Sequence, residues 1–192
     1  MKKKQIVIIS APSCSGKNSI YNEIHKKYPH LSQTISDTTR EIRRNEIDGV
    51  DYNYISKDEF EMNIQKGAYV EYNFYNGHYY GTPLSQVESL VEKDDPFVLI
   101  IDVNGALKVK ELYGNKVIMI FIMPPSIEEI KDRMIQRGEN TPEELKERIE
   151  IAKYEMNQAC KYDFCVVNEV LSETSKNVIE IIENKVIKRG DE

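Results

Sequence analysis

Ile6-Val7-Ile8-Ile9-Ser10-Ala11-Pro12-Ser13-Cys14-Ser15-Gly16-Lys17-Asn18-Ser19 runs from a short apolar stretch into a loop of small residues. A continuous run of β-branched residues predicts a strand buried on both faces. Behind the loop, Ile20, Ile24 and Tyr28 recur at four-residue spacing until Pro29, which predicts a helix. A strand, a small-residue loop, Gly16-Lys17 and a helix form the setting of a phosphate-binding loop. Backbone N–H groups at the helix start form a concave row for phosphate oxygens, and the ammonium of Lys17 reaches the outer ones.

The strict pattern G-x-x-x-x-G-K-[ST] is broken twice, by Ala11 at the first glycine and by Asn18 at the hydroxyl position. A residue before proline is already held in extended φ/ψ, so alanine costs little more than glycine there. Asn18 matters more, because a hydroxyl at that position ordinarily ligates Mg²⁺. Either the Asn18 amide oxygen or Ser19 becomes the candidate metal ligand. A glycine-bearing turn with an incidental lysine is the plainer alternative for this segment taken alone.

Three more apolar runs, 97–101, 117–122 and 164–167, predict further strands. Helical signals lie between and after them. Ser126 with Glu129 predicts a capping box, as does Thr141-Pro142-Glu143-Glu144, which also places proline at the first helical position. Leu145, Ile149, Ala152 and Met156 predict a buried stripe, and a last helix is expected from about Thr174 to Lys188. Strands alternating with helices predict an α/β fold, a parallel sheet flanked by helices. Residues 34–83 break the rhythm with tyrosines, charges and the alternation Tyr69-Val70-Glu71-Tyr72, so they read as a small mixed insertion. Residues 129–150 are dense in charge and read as a mobile helical flap. The core is then 1–33, 84–128 and 151–192.

A chain of 192 residues suits one sizeable domain. Its 26 basic and 32 acidic residues give a net charge of −6, spread along the chain. Nothing global attracts a polyanion, so no nucleic-acid or membrane partner is expected. The three cysteines, Cys14, Cys160 and Cys165, match no zinc or disulfide spacing, which predicts a reducing, cytoplasmic setting. The apolar run after the N-terminal lysines is too short for a signal peptide's apolar segment, and no run is long enough to span a bilayer.

The insertion contains Ser36-Asp37-Thr38-Thr39-Arg40-Glu41-Ile42-Arg43-Arg44-Asn45-Glu46, then Asp48-Gly49-Val50-Asp51-Tyr52, Tyr69-Val70-Glu71-Tyr72 and Gly77-His78-Tyr79-Tyr80-Gly81-Thr82-Pro83. In this order behind a phosphate loop, these segments closely resemble the guanylate kinase family. The likeness continues through Ile101-Asp102-Val103-Asn104-Gly105-Ala106, Met123-Pro124-Pro125-Ser126, Arg133, Arg137-Gly138, Arg148 and Val166-Val167-Asn168. It implies a P-loop NTPase-type core, a GMP-binding insertion and a closing lid. The implied reaction is Mg²⁺-dependent transfer of the γ-phosphate of ATP to GMP, with dGMP a second acceptor, by a monomer or homodimer.

Residue by residue, the resemblance assigns Arg40, Arg43, Tyr52 and Tyr80 to the phosphate of GMP, and Ser36, Glu71 and Thr82 to guanine. ATP falls to Ala11, Pro12, Ser13, Cys14, Ser15, Gly16, Lys17, Asn18 and Ser19, with Arg133, Arg137 and Asn168, the last at the adenine end. Asp102 lies near GMP, the metal and the moving phosphate. Lys17, Arg40, Asp102, Arg137 and Arg148 carry catalysis. The chemistry agrees with these roles. Guanidinium forks and phenols suit a phosphate dianion. One carboxylate can accept the adjacent N1–H and N2–H donors that only guanine offers, leaving adenine with an unpaired site.

Departures from the family pattern are Ala11, Cys14, Asn18, Asn45 before Glu46, and Ile100 where a second acidic residue is usual. They fall mostly on the phosphate-loop and metal side, which implies lowered turnover more than lost GMP binding. Two rival readings stay open: a guanylate-kinase-like module that binds GMP or a protein with little catalysis, and a phosphate-loop kinase acting on another acceptor.

Overall fold

The computed structural model describes residues 5–138 and 141–187. In chain order the elements begin with β1 (Ile6–Ser10), α1 (Lys17–Lys27), β2 (Ser32–Gln33), β3 (Asp37–Thr38), β4 (Asn53–Tyr54) and α2 (Lys57–Gln65). There follow β5 (Tyr69–Tyr75), β6 (His78–Pro83), α3 (Leu84–Glu92), β7 (Phe97–Ile100) and α4 (Val103–Tyr113). The chain continues through β8 (Val117–Met123), α5 (Ile127–Arg137), α6 (Pro142–Asn157), β9 (Phe164–Val167) and α7 (Leu171–Ile182).

Five strands form a parallel sheet in the order β2-β7-β1-β8-β9. Its two faces are both apolar. Ile6, Ile8, Phe97, Leu99, Met119 and Phe121 pack toward Val103, Ala106 and Val109 of α4. Val7, Ile9, Val98, Ile118 and Ile120 pack toward Ile20 and Ile24 of α1 and Val178 and Ile182 of α7. Each such side chain contributes roughly 1.5–3 kcal/mol on burial, and together they fix the strand ends from which the loops project.

Four of the five strands coincide with the apolar runs. The fifth, β2, has only two residues, both polar, and offers no hydrophobic signal. β9 departs from the expected two-sided burial, since Cys165 and Val167 are exposed. It is the sheet's edge strand, covered on one face only.

A second, mixed sheet, β4-β3-β6-β5, is built wholly from the insertion. β5 and β6 form a hairpin closed by Asn76-Gly77, with φ of 49° and 79°. Two successive left-handed residues match the twist of a tight hairpin, which is why Asn-Gly stands there. Phe60 of α2 stacks on Tyr69 and Tyr79, with ring centroids 4.5 and 5.1 Å apart.

Three helical expectations need correction. Ser126 accepts from the Glu129 N–H at 3.1 Å, but the Glu129 carboxylate pairs with Arg133 instead of closing the capping box. Thr141 and Glu144 do form the reciprocal box. Of the stripe expected on α6, only Ala152 is fully buried; the other buried residue is Arg148. α6 meets α5 across a small cluster of Ile130, Met134 and Ala152, while Arg148 faces the cleft described below. α7 starts at Leu171, before the expected Thr174, and relaxes into a wider π-type turn over Glu183–Ile187; Lys188 lies outside the described residues. Both edges of the segment 129–150 fall inside continuous helices, because caps at Ser126 and Thr141 fix where α5 and α6 begin.

Candidate active site

Between the two sheets lies a cleft of about 540 Å³. One wall is the loop from Pro12 to Gly16 with the first turn of α1. Another is the insertion, contributing Ser36, Arg40, Arg43, Tyr52, Glu71 and Tyr80. Asp102 and Arg148 complete the set of expected residues that face it.

The loop turns through Ser15 N–H to the Pro12 carbonyl at 3.2 Å, and Gly16, with φ of 86°, delivers the chain into α1. No side chain caps that helix. The N–H groups of a helix's first turn point along its axis away from the helix, and at this start they face the cleft and suit an anion. A Cβ at Gly16 would lie 3.0 Å from Asn168 Nδ2. Cys14 has φ of 65°, the left-handed region that favours glycine, and its side chain packs against the α5–α6 cluster. Ala11 is buried and is not among the described residues with positive φ, in keeping with its place before proline. Lys17 Nζ donates to the carbonyls of Ala11 and, at 3.4 Å, Pro12. Asn18 and Ser19 are exposed on the cleft wall.

On the insertion side, Arg40 donates to Glu46 at 2.8 Å and lies over the rings of Tyr52 and Tyr54, 5.6 and 5.8 Å from their centroids. Tyr80 lies beside Arg40, and its ring meets Tyr52 edge-on at 5.9 Å. Burial alone would raise the Glu46 carboxyl, but bonds from Arg40, the Arg43 N–H and Tyr54 outweigh it and hold the group at about 2. Glu46 thus stays ionised and fixes Arg40 with its guanidinium toward the cleft.

Glu71 is buried, and Thr82 donates its hydroxyl to Glu71 Oε1. Burial pushes its carboxyl up to about 7, opposed by the Thr82 hydroxyl and reinforced by the charge of Asp102. A Cβ at Gly105, in the first turn of α4, would come within 2.5 Å of Glu71 Oε2, so only glycine leaves room for the carboxylate. Asp102 caps α4 by accepting from the Gly105 N–H at 2.9 Å, and its other oxygen accepts from Asn73 Nδ2 at 2.8 Å.

Four expected residues do not line the cleft. Ala11 lies beneath the loop, and Thr82 stands behind Glu71. Arg133 donates to the Cys14 carbonyl at 3.3 Å from outside. Asn168 is buried, with its amide donating to the Ser15 carbonyl at 2.8 Å, so it braces the phosphate loop from beneath. The side chain of Arg137 lies outside the described residues.

Sequence reasoning missed several groups. Asn73 and Tyr75 alternate with Glu71 on β5, a period-two signal readable from Glu71 onward. Glu155 faces the cleft from α6; burial raises its carboxyl to about 7, with Lys17 opposing and Asp102 reinforcing the shift. On a helix crowded with glutamates nothing in the sequence singles it out.

The arrangement is a phosphate-seeking helix start and lysine at one end of a cleft, a fixed guanidinium and phenols at the other, and a buried carboxylate between sheets. Comparison with known proteins agrees. The family model described as Guanylate kinase matches residues 3–185. The guanylate kinase of Clostridium perfringens (strain 13 / Type A) is 41% identical over 177 residues, 92% of this chain and 82% of that protein. That of Chlorobium chlorochromatii is 38% identical over 180 residues, 94% and 95% of the two chains. The crystal structure of guanylate kinase from Anaplasma phagocytophilum superposes with a TM-score of 0.76 at 29% identity, covering 96% of this chain and 87% of that one. A family match over nearly the whole length, on a cleft built this way, means that the chain belongs to the guanylate kinase family.

Proposed function

We propose that this protein transfers the γ-phosphate of ATP to GMP, giving ADP and GDP, and accepts dGMP as well, since none of the residues assigned here reads a 2′-hydroxyl. The observation that carries the reading is that the loop of Lys17 and the buried Glu71 open into one continuous cleft. ATP lies with its phosphates on the loop from Ala11 to Ser19 and Lys17. GMP lies with its phosphate toward Arg40, Arg43, Tyr52 and Tyr80, and its base toward Ser36, Glu71 and Thr82.

Phosphoryl transfer requires in-line placement and positive charge on the moving group more than covalent help. Lys17 supplies that charge, with Arg133, Arg137 and Arg148 on the segment 129–150 that acts as a lid. Closure excludes water, which would otherwise take the phosphate. Mg²⁺ suits this wall, because Asn18 and Ser19 offer hard oxygen donors and the ion takes few protein ligands beside phosphate and water. When bound, it draws charge from the phosphate oxygens. Free Cys14, Cys160 and Cys165 fit work in a reducing cytoplasm.

The test is ADP production with ATP, Mg²⁺ and each of GMP, dGMP, AMP, CMP and UMP, alongside GMP binding by calorimetry. Turnover with GMP and dGMP alone is expected. GMP binding without turnover would make the chain a binding module, and turnover only with another nucleotide would make it a different kinase. Asn18→Ser is expected to raise kcat severalfold, because it restores a hydroxyl to the start of α1 where a metal-bound phosphate would lie. A fall in kcat would identify the amide as the adapted ligand.

A further inference from the structure

Residues 71, 73 and 75 share one face of β5, and each reaches a different part of the cleft. Glu71 meets Thr82, Asn73 meets Asp102, and the Tyr75 hydroxyl accepts from Arg148 Nε at 3.1 Å. Arg148 is buried, and its guanidinium also lies over the Tyr75 ring, 5.8 Å from the centroid. Its Nη2 donates to Ser13 Oγ at 2.7 Å, and the Ser13 hydroxyl interacts with the Tyr75 oxygen too. A tyrosine of the insertion, a serine of the phosphate loop and an arginine of α6 therefore meet at one point.

From this meeting we infer that Tyr75 is a positioning residue for phosphoryl transfer: it holds Arg148 at the phosphate loop, so that the strand carrying Glu71 also sets the guanidinium across the cleft. The inference rests on the ATP-to-GMP reading above. A planar guanidinium has several donors on a long flexible stem, and its direction is set by which of them are engaged. Here Nε is engaged by Tyr75 and Nη2 by Ser13, leaving the plane little freedom. Tyr75 itself stands on firm ground. It is the last residue before the Asn76-Gly77 turn and is paired with His78, so the hairpin cannot displace its hydroxyl without breaking register.

Tyr75→Phe keeps the ring, its packing and its face toward Arg148, and removes only the hydroxyl. The expected result is a fall of about tenfold in kcat, the scale of one hydrogen bond to a charged group. KM for GMP and for ATP should each stay within twofold, because the lost hydroxyl is engaged by Arg148 and Ser13 and is assigned to neither nucleotide. Arg148→Lys keeps the charge and lacks the Nε donor, so adding Tyr75→Phe to that variant should lower kcat no further. Urea unfolding of the four proteins reads the contact without catalysis, and there too the second substitution should add nothing to the first. Unchanged kcat in Tyr75→Phe overturns the inference. So does a full additional tenfold loss in the Arg148→Lys background, or a rise in KM with kcat intact. Absence of GMP turnover in the unmodified protein would strike at the proposed reaction, while the unfolding cycle would still report whether Tyr75 and Arg148 act as a pair.

Discussion

Lys17→Met is expected to lower kcat by about three orders of magnitude while GMP affinity changes by no more than a few-fold. The size follows from what the ammonium does. Negative charge spreads over the outer oxygens of the moving phosphoryl group, and a positive group fixed in a partly buried cleft is worth far more against that charge than in water. A thousandfold loss corresponds to about 4 kcal/mol of transition-state stabilisation. Lys17 Nζ is held by carbonyls of its own loop, which keeps its stem along that loop. Methionine has similar length and volume, which leaves the loop's packing intact. GMP should notice little, because its proposed contacts stand on the insertion, where Glu46 rather than Lys17 fixes Arg40. Turnover by ADP release and GMP binding by calorimetry separate the two effects. A loss of GMP binding comparable to the loss of turnover would show that Lys17 serves the acceptor and not the donor.

How much of this was legible beforehand differs by part of the molecule. Both faces of β1, β7 and β8 are covered by helices, so unbroken Ile/Val runs announced them. β2 could not be read, since two polar residues at a sheet edge carry no hydrophobic pattern. The cleft's residues were named largely through ordered motifs, and sixteen of those named face one cavity. What stayed hidden is of a different kind. Glu46 fixes Arg40 through a side-chain bond across a loop, and Gly105 matters only because Glu71 lies 2.5 Å from where its Cβ would be. Neither relation has a local period: Arg40 and Glu46 meet across an irregular loop, and Glu71 and Gly105 lie on different elements. Asn73 and Tyr75 form the intermediate case, marked by alternation but meaningful only once Asp102 and Arg148 are seen opposite them.

The second large effect belongs to Glu71. Glu71→Gln should cut the kcat/KM preference for GMP over AMP by two orders of magnitude or more, from a value expected to be on the order of 10⁴. A glutamine amide can accept one guanine N–H, but its own NH₂ then faces the second donor. Proton linkage gives an independent check. With its carboxyl raised to about 7, Glu71 is half-protonated at neutral pH when no nucleotide is bound, yet it must be ionised to accept from guanine. GMP affinity should therefore rise about tenfold between pH 6 and pH 8 and level off above. The GMP phosphate also ionises near the bottom of that window and adds its own slope. Glu71→Gln keeps the phosphate slope and loses the carboxylate one, so the difference between the two proteins is the quantity to measure. Stability should move the opposite way. A carboxyl whose folded value exceeds its unfolded one binds extra protons only in the folded state, so stability falls as pH rises from about 4.5 to 7, by up to about 1.4 kcal/mol per pH unit. Glu155 is raised through the same range, so Glu71→Gln should remove part of that slope and not all of it. Equal pH dependence of GMP binding in the two proteins, with unchanged discrimination against AMP, would place guanine elsewhere in the cleft.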